Sequence, residues 1–160
     1  MTIILAADCD WAIGKDGRLL AHIPEDMKFF RETTADSTVV MGRKTWESIG
    51  AKPLPGRTNC VISRTVKQLE GAQVFGSVED FLDSAKKADG KVFVIGGGEI
   101  YRELLPYCDE AYITRIYESF SGDVFFTDIE HDKDWELTEV SPVIFSECRN
   151  IRFFHYIRKK

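Results

Sequence analysis

The sequence lacks the patterns that mark several chemistries. It has no His-Glu-x-x-His pair and no Gly-x-Ser-x-Gly elbow, so neither a zinc protease nor a serine hydrolase finds support. His131 and His155 stand in no triad-like pattern. The four cysteines, Cys9, Cys60, Cys108 and Cys148, are widely spaced and form no Cys-x-x-Cys pair. That spacing suits neither a zinc knot nor a disulfide scaffold, so reduced thiols and no metal are expected. No apolar run approaches the roughly 18 residues needed to cross a bilayer. Ile3-Ile4-Leu5-Ala6-Ala7 is too short for a signal peptide and has no basic flank, so a cytoplasmic protein off the membrane is expected. There is little basic excess either: the net charge is -5, which argues against a nucleic-acid partner. Arg158-Lys159-Lys160 then reads as a solvated tail. Repeats and low-complexity segments are absent too.

What is present is the patterning of an α/β protein. The chain has 160 residues, enough for one domain over residues 1–160 that buries roughly 70% of its unfolded surface. Apolar runs predict strands at residues 3–7, 37–41, 59–63, 73–75, 91–95 and 111–116. Helices are predicted from Pro24 through Arg31 and over 43–49, 78–88 and 99–105. The tail reads as antiparallel strands over 135–140, 143–147 and 152–158. Residues 8–20 are polar, contain Gly14 and Gly17, and read as a long and therefore functional loop. The expected architecture is a mostly parallel, twisted sheet of about eight strands, with about four flanking helices and a C-terminal antiparallel hairpin.

Three strand ends carry ligand-binding signals. Val94-Ile95-Gly96-Gly97-Gly98-Glu99-Ile100-Tyr101 turns from a strand into a helix, where glycines admit a ligand and free N–H groups favour a phosphate. The spacing is neither a Rossmann fingerprint nor a P-loop. Gly42-Arg43-Lys44-Thr45 and Ser63-Arg64 add cations at two further strand ends. In a parallel sheet these ends share one edge, where open α/β folds bind ligands. A pyrophosphate site plus a separate cation cluster is the layout that NADP requires.

One carboxylate stands apart. Asp26 has Ile23 three residues before it and Phe29 and Phe30 three and four after, its neighbours on a helix surface. It should face the apolar side, while Glu25 pairs outward with Lys28. An acid in apolar surroundings holds its proton to higher pH and can deliver one near neutrality.

Taken together, these residues resemble the dihydrofolate reductase family over nearly the whole chain. The resemblance rests on Leu5-Ala6-Ala7, Ile13-Gly14, Ile23-Pro24-Glu25-Asp26, Met41 through Gly50, Pro53-Leu54-Pro55-Gly56-Arg57, Val94 through Gly98, and Gly122-Asp123, in family order. It implies NADPH as cofactor, dihydrofolate as substrate, antifolates as inhibitors and a monomer. Asp26 would hold the pterin and support protonation of its imine nitrogen through water, with Thr114 bonded to it. Leu5, Ala6, Met27, Phe30, Ile49, Leu54 and Ile95 would line the substrate pocket. Arg57, with Arg31 nearby, would grip the glutamate carboxylate. Ala7, Ile13, Gly14 and Asp123, together with Ile95 through Tyr101, would meet the cofactor. So would Gly42 through Thr45, Ser63, Arg64 and Gly76. A cis peptide is expected at Gly96-Gly97. The loop up to Leu20 would close over the site and exclude water.

The sequence departs from the family at the Pro-Trp pair before the helix, read here as Ala21-His22. His22 in the indole position could bond the catalytic water and titrate near neutral pH, adding an ionisation to the rate profile. Two other functions compete: a pyrimidine reductase of riboflavin synthesis with the same fold, and a non-enzymatic nucleotide- or flavin-binding module. Arg57 and Phe30 disfavour the first, since that substrate has no glutamate tail. The Asp26 helix disfavours the second.

Overall fold

Alternation along the strands sorts the core into two layers. The computed structural model describes residues 1–160. In the first strand, β1 (Thr2–Ala7), Ile3, Leu5 and Ala7 face one way and Ile4 the other, as a pleated strand buried on both faces requires. The chain continues through β2 (Ala12–Gly14), α1 (Pro24–Thr33), β3 (Thr38–Gly42), α2 (Arg43–Ser48), β4 (Thr58–Ile62), β5 (Gln73–Phe75) and α3 (Val78–Ala85). It then forms β6 (Val92–Gly96), α4 (Gly98–Leu104), a single 3-10 turn, β7 (Glu110–Ile116), β8 (Val124–Phe125), β9 (Trp135–Val140), β10 (Ile144–Ser146) and β11 (Arg149–Arg158).

Eight strands run in the order β10-β11-β7-β1-β6-β3-β4-β5, and β9 pairs with β11 off this path. The pairings from β7 to β5 are parallel; those of β11 are antiparallel. The expected fold class and its four helices are therefore found. On one face Phe29 and Phe30 of α1 pack with Ile4, Val39, Met41, Val61 and Phe93. On the other, Phe81 of α3 and Ile100, Tyr101 and Leu104 of α4 pack with Ile3, Val40 and Val94. Because the strands are parallel, Gly42, Ile62, Phe75 and Gly96 end along one edge.

Local chemistry sets the helix ends. Pro24 opens α1, with Glu25 and Asp26 in the first turn and Arg31 in the last, matching the helix dipole. The helix stops at Thr34, whose N–H and hydroxyl both bond Phe30 O, at 3.0 and 2.8 Å. Ser77 caps α3 by accepting from Asp80 N at 3.1 Å.

Two short strands escaped the sequence reading. The predicted loop over 8–20 contains β2, which pairs with β8 across more than a hundred residues. Strands of three and two residues carry too little periodicity to register. The expected Lys28–Glu25 pair is not formed: Lys28 sits 3.9 Å from Glu32, and Glu25 accepts a hydrogen bond from Ser146 Oγ on β10. That bond, and not a lysine, leads in lowering the Glu25 pKa.

Candidate active site

Asp26 is set between α1 and β7. Thr114 Oγ1 donates to Asp26 Oδ1 at 2.6 Å, joining two residues 88 apart in sequence. Thr114 is buried, and it shares a face with Ala6 and Phe153, its register partners on β1 and β11. Burial pushes the Asp26 pKa up, and the Thr114 bond partly opposes it because it favours the carboxylate.

Around this acid the expected apolar wall is largely assembled. Phe30, Ile49, Leu54 and Ile95 border one apolar cluster on the α1 face, and Ala6 borders the neighbouring one with Ile23 and Phe153. Met27 is 41% exposed and stands at the rim. Leu5 is displaced from this group: strand alternation turns its side chain into the core on the α4 face, with Ile13 and Ile100. Arg57 is half-buried, its Nε donating to Pro55 O at 2.9 Å and its Nη1 to Thr34 Oγ1 at 3.3 Å. Burial first, and the charge of Arg31 second, lower its pKa below the ordinary arginine value. Arg57, with the charge of Arg31 near enough to act on it, offers a guanidinium suited to a carboxylate.

At the strand-end edge the glycine turn has the geometry of a ligand cradle. The Gly96-Gly97 peptide is cis, as expected, and Gly96 has φ +125°, a conformation open to glycine. A Cβ on Gly96 would lie 3.3 Å from Tyr101 and 3.4 Å from Thr45 Oγ1, so Thr45 borders the turn. No side chain caps α4 after Gly97, which leaves its first N–H groups for a ligand. Ile100 and Tyr101 are buried and face the core, where Tyr101 Oη donates to Ile4 O at 2.8 Å. Any role for these two in binding therefore falls to backbone. The cations have partners already: Arg43 meets Glu47 at 2.7 Å, and Arg64 meets Glu99 at 3.7 Å. Lys44 is exposed. The Ser63 hydroxyl accepts from Val66 N at 3.1 Å and so braces the following turn. Gly76 lies exposed past the end of β5.

The loop before α1 corrects one expectation. Successive residues of extended chain point in opposite directions, and here Ala21 packs against the cluster of Ile23, Ile116 and Ile151 while His22 is exposed and bonds no protein group. His22 therefore touches no group of the site in this structure, and the expected histidine in the place of the indole is not brought to Asp26. Leu20, at the end of the loop expected to close over the site, lies against Gly122 and lines a cavity of about 550 Å³ with Leu19 and Phe120, a position that suits a cover. Asp123 is tied to the loop: its N–H donates to Gly14 O and its Oδ2 accepts from Asp16 N, both at 3.0 Å.

Sequence reasoning missed Asp8. It is fully buried; Oδ1 accepts from Asp10 N at 2.8 Å and Ala12 N at 2.9 Å, and Oδ2 accepts from Phe120 N at 3.0 Å. This carboxylate clamps the start of the loop to the segment after β7. The signal available was an acid directly after a fully apolar strand.

Comparisons with known proteins point to one family. Residues 1–159 match the family model described as dihydrofolate reductase. The chain is similar to a dihydrofolate reductase of Staphylococcus aureus (strain Mu50 / ATCC 700699), at 39% identity over 100% of this chain and 99% of that one. It is also 39% identical to one of Bacillus subtilis (strain 168), over 86% of this chain and 80% of that one. Among solved structures, a dihydrofolate reductase from Enterococcus faecalis complexed with NADP(H) and RAB-propyl superposes with a TM-score of 0.90 at 38% identity. That match covers 99% of this chain and 96% of that one.

Proposed function

The chain belongs to the dihydrofolate reductase family, and from that membership and the cleft we infer that it reduces 7,8-dihydrofolate to 5,6,7,8-tetrahydrofolate with NADPH. The enzyme is an oxidoreductase. The observation that carries the mechanism is the Asp26–Thr114 pair, a half-buried acid with a raised pKa on an apolar wall. The same observation weighs against a passive nucleotide-binding module, which has no use for such an acid. Family membership and Arg57 do not favour the pyrimidine reductase.

The residues at the strand ends fit NADPH: a positive-φ turn without a Cβ, uncapped helical N–H groups and three cations. Gly96, Gly97, Gly98 and Thr45 would hold the pyrophosphate, and Arg43, Lys44 and Arg64 the extra phosphate that distinguishes NADPH. Once bound, the cofactor supplies the hydride. Ala7, Ile13 and Gly14 lie where the loop leaves β1 and would border the reacting end.

Asp26 holds the pterin through its amino and ring N–H groups, using two carboxylate oxygens for two donors. Thr114 fixes the carboxylate and takes part in the amino contact. The raised pKa keeps Asp26 protonated to higher pH than an exposed aspartate, which favours proton delivery, with water as the carrier to the imine nitrogen. Arg57 and Arg31 anchor the glutamate end. Leu20 and the loop clamped by Asp8 and Asp123 keep bulk water out. The same pocket takes antifolate inhibitors. The protein acts as a cytoplasmic monomer; its four free cysteines suit a reducing compartment. No helix is long and apolar enough to cross a membrane.

NADPH absorbance followed with and without dihydrofolate tests the assignment. Oxidation that depends on dihydrofolate is expected; none at saturating substrate would overturn it.

A further inference from the structure

The sheet has a second concave region at the end opposite the cleft. A cavity of about 440 Å³ opens where β1, β6 and β7 begin. Thr2 at its wall is separated from Ala7 at the cleft by about 16 Å of strand. No residue assigned to substrate or cofactor lines it. Its volume lies within the roughly 300–1,000 Å³ of small-molecule sites.

The lining has an apolar floor and a rim that carries two lysines, the Met1 ammonium and two acids. Leu82 and Ala85 from α3 and Val92 from β6 form the floor. Tyr112 is a fixed wall, because its ring stacks on His155 at 4.3 Å and meets Phe29 edge-on at 5.8 Å. The two lining acids already have partners: Asp109 holds the Met1 ammonium at 3.1 Å, and Glu110 meets His155 Nε2 at 3.1 Å. The lining cations are freer. Lys86 reaches only Asp83, at 3.7 Å with both side chains exposed, and Lys91 has no carboxylate within 4.0 Å.

We propose that this cavity is a second binding site, for a flat aromatic carboxylate. The ring system covers Leu82, Ala85 and Val92, and the carboxylate reaches Lys91 with Lys86 beside it. A cationic ligand gains less there, since Asp109 and Glu110 each already face a partner while Lys91 faces no carboxylate. A wholly apolar ligand leaves the lysines unused.

The probe is 2-naphthoate, titrated into the isotope-labelled enzyme held in complex with NADPH and an antifolate, so that the cleft is filled. Amide NMR shifts should saturate at Lys86, Lys91 and Tyr112 with a dissociation constant of about 1 mM, as expected for a ligand of this size. Ala85→Trp, which fills the floor, should abolish the shifts. Lys91→Glu should weaken binding by about tenfold, and 2-naphthylmethylamine should bind the wild type about tenfold more weakly than the acid. Neither substitution should alter dihydrofolate turnover. The proposal fails if no saturable shifts occur by about 10 mM, if Lys91→Glu binds like wild type, or if the amine binds as well as the acid. Should Ala85→Trp not fold, the exposed Lys91→Glu change decides alone.

Discussion

The two halves of the cleft are made of opposite materials. On the pterin side stand a single acid and a buried hydroxyl 2.6 Å apart, backed by apolar side chains from α1 and β6. On the cofactor side the proposed contacts would come from backbone at Gly96-Gly97-Gly98 and from surface cations held by Glu47 and Glu99. The first half works by desolvation, where one charged group is costly and its removal is felt strongly. The second works by shape and by many weak, solvated charges, each worth little alone. The pterin side should therefore respond to pH and the cofactor side to salt and to backbone substitution.

The largest contrast should come from Asp26→Asn. It is expected to lower kcat at neutral pH by about a hundredfold to ten-thousandfold, the range of a lost general acid, while NADPH affinity is unchanged. The same substitution should raise thermal stability at neutral pH. The folded-state pKa of Asp26 lies above its ordinary value, so stability is fully present below that ordinary value and is lost as pH rises through the folded one. Asparagine removes this loss. A melting curve showing Asp26→Asn less stable than wild type at neutral pH would contradict the burial argument.

Next in size is Arg57→Gln. Losing a charge-assisted bond of about 1.5–3 kcal/mol should raise the KM for dihydrofolate by about 10- to 100-fold. Reduction of a pterin without the glutamate tail should not change, and a parallel loss there would move Arg57 out of its assigned place.

On the cofactor side, Gly96→Ala should destabilise the turn by about 1–3 kcal/mol, because alanine resists a φ of +125°. The expected readout is weaker NADPH binding with dihydrofolate binding intact. The smallest effect is expected from Arg64→Gln: about a tenfold rise or less in the KM for NADPH, shrinking as salt is added, and none for NADH. A salt-independent loss would mean that Arg64 is buried in the complex.

Particular residues show how much of this was legible in the sequence. Asp26 was, because Ile23, Phe29 and Phe30 share its helical face and a period of 3.6 needs no tertiary information. The strand-end edge was also legible, since buried parallel strands read as unbroken apolar runs such as Val92-Phe93-Val94-Ile95. Three things were not. The β2–β8 pairing joins Ala12 to Phe125, a contact no local pattern encodes. The facing of Ala21 against His22 depends on one-residue register in irregular chain, where periodicity gives no guide. The clamps formed by Asp8 and Asp123 are carboxylate-to-backbone bonds, and surface turns are full of acids that make none. Leu5 shows a further limit: the strand was placed correctly, but which face meets the substrate depends on where α1 lands.

The central claim is that Asp26 supplies the one functional ionisation of the pterin side. Its most direct test is the pH dependence of the single-turnover hydride-transfer rate, for wild type and Asp26→Asn under saturating NADPH and dihydrofolate. The wild type should show an ionisation above the ordinary carboxylate value of 3.8, and Asp26→Asn should lack it. The same ionisation persisting in Asp26→Asn would assign the proton to another group and contradict the account.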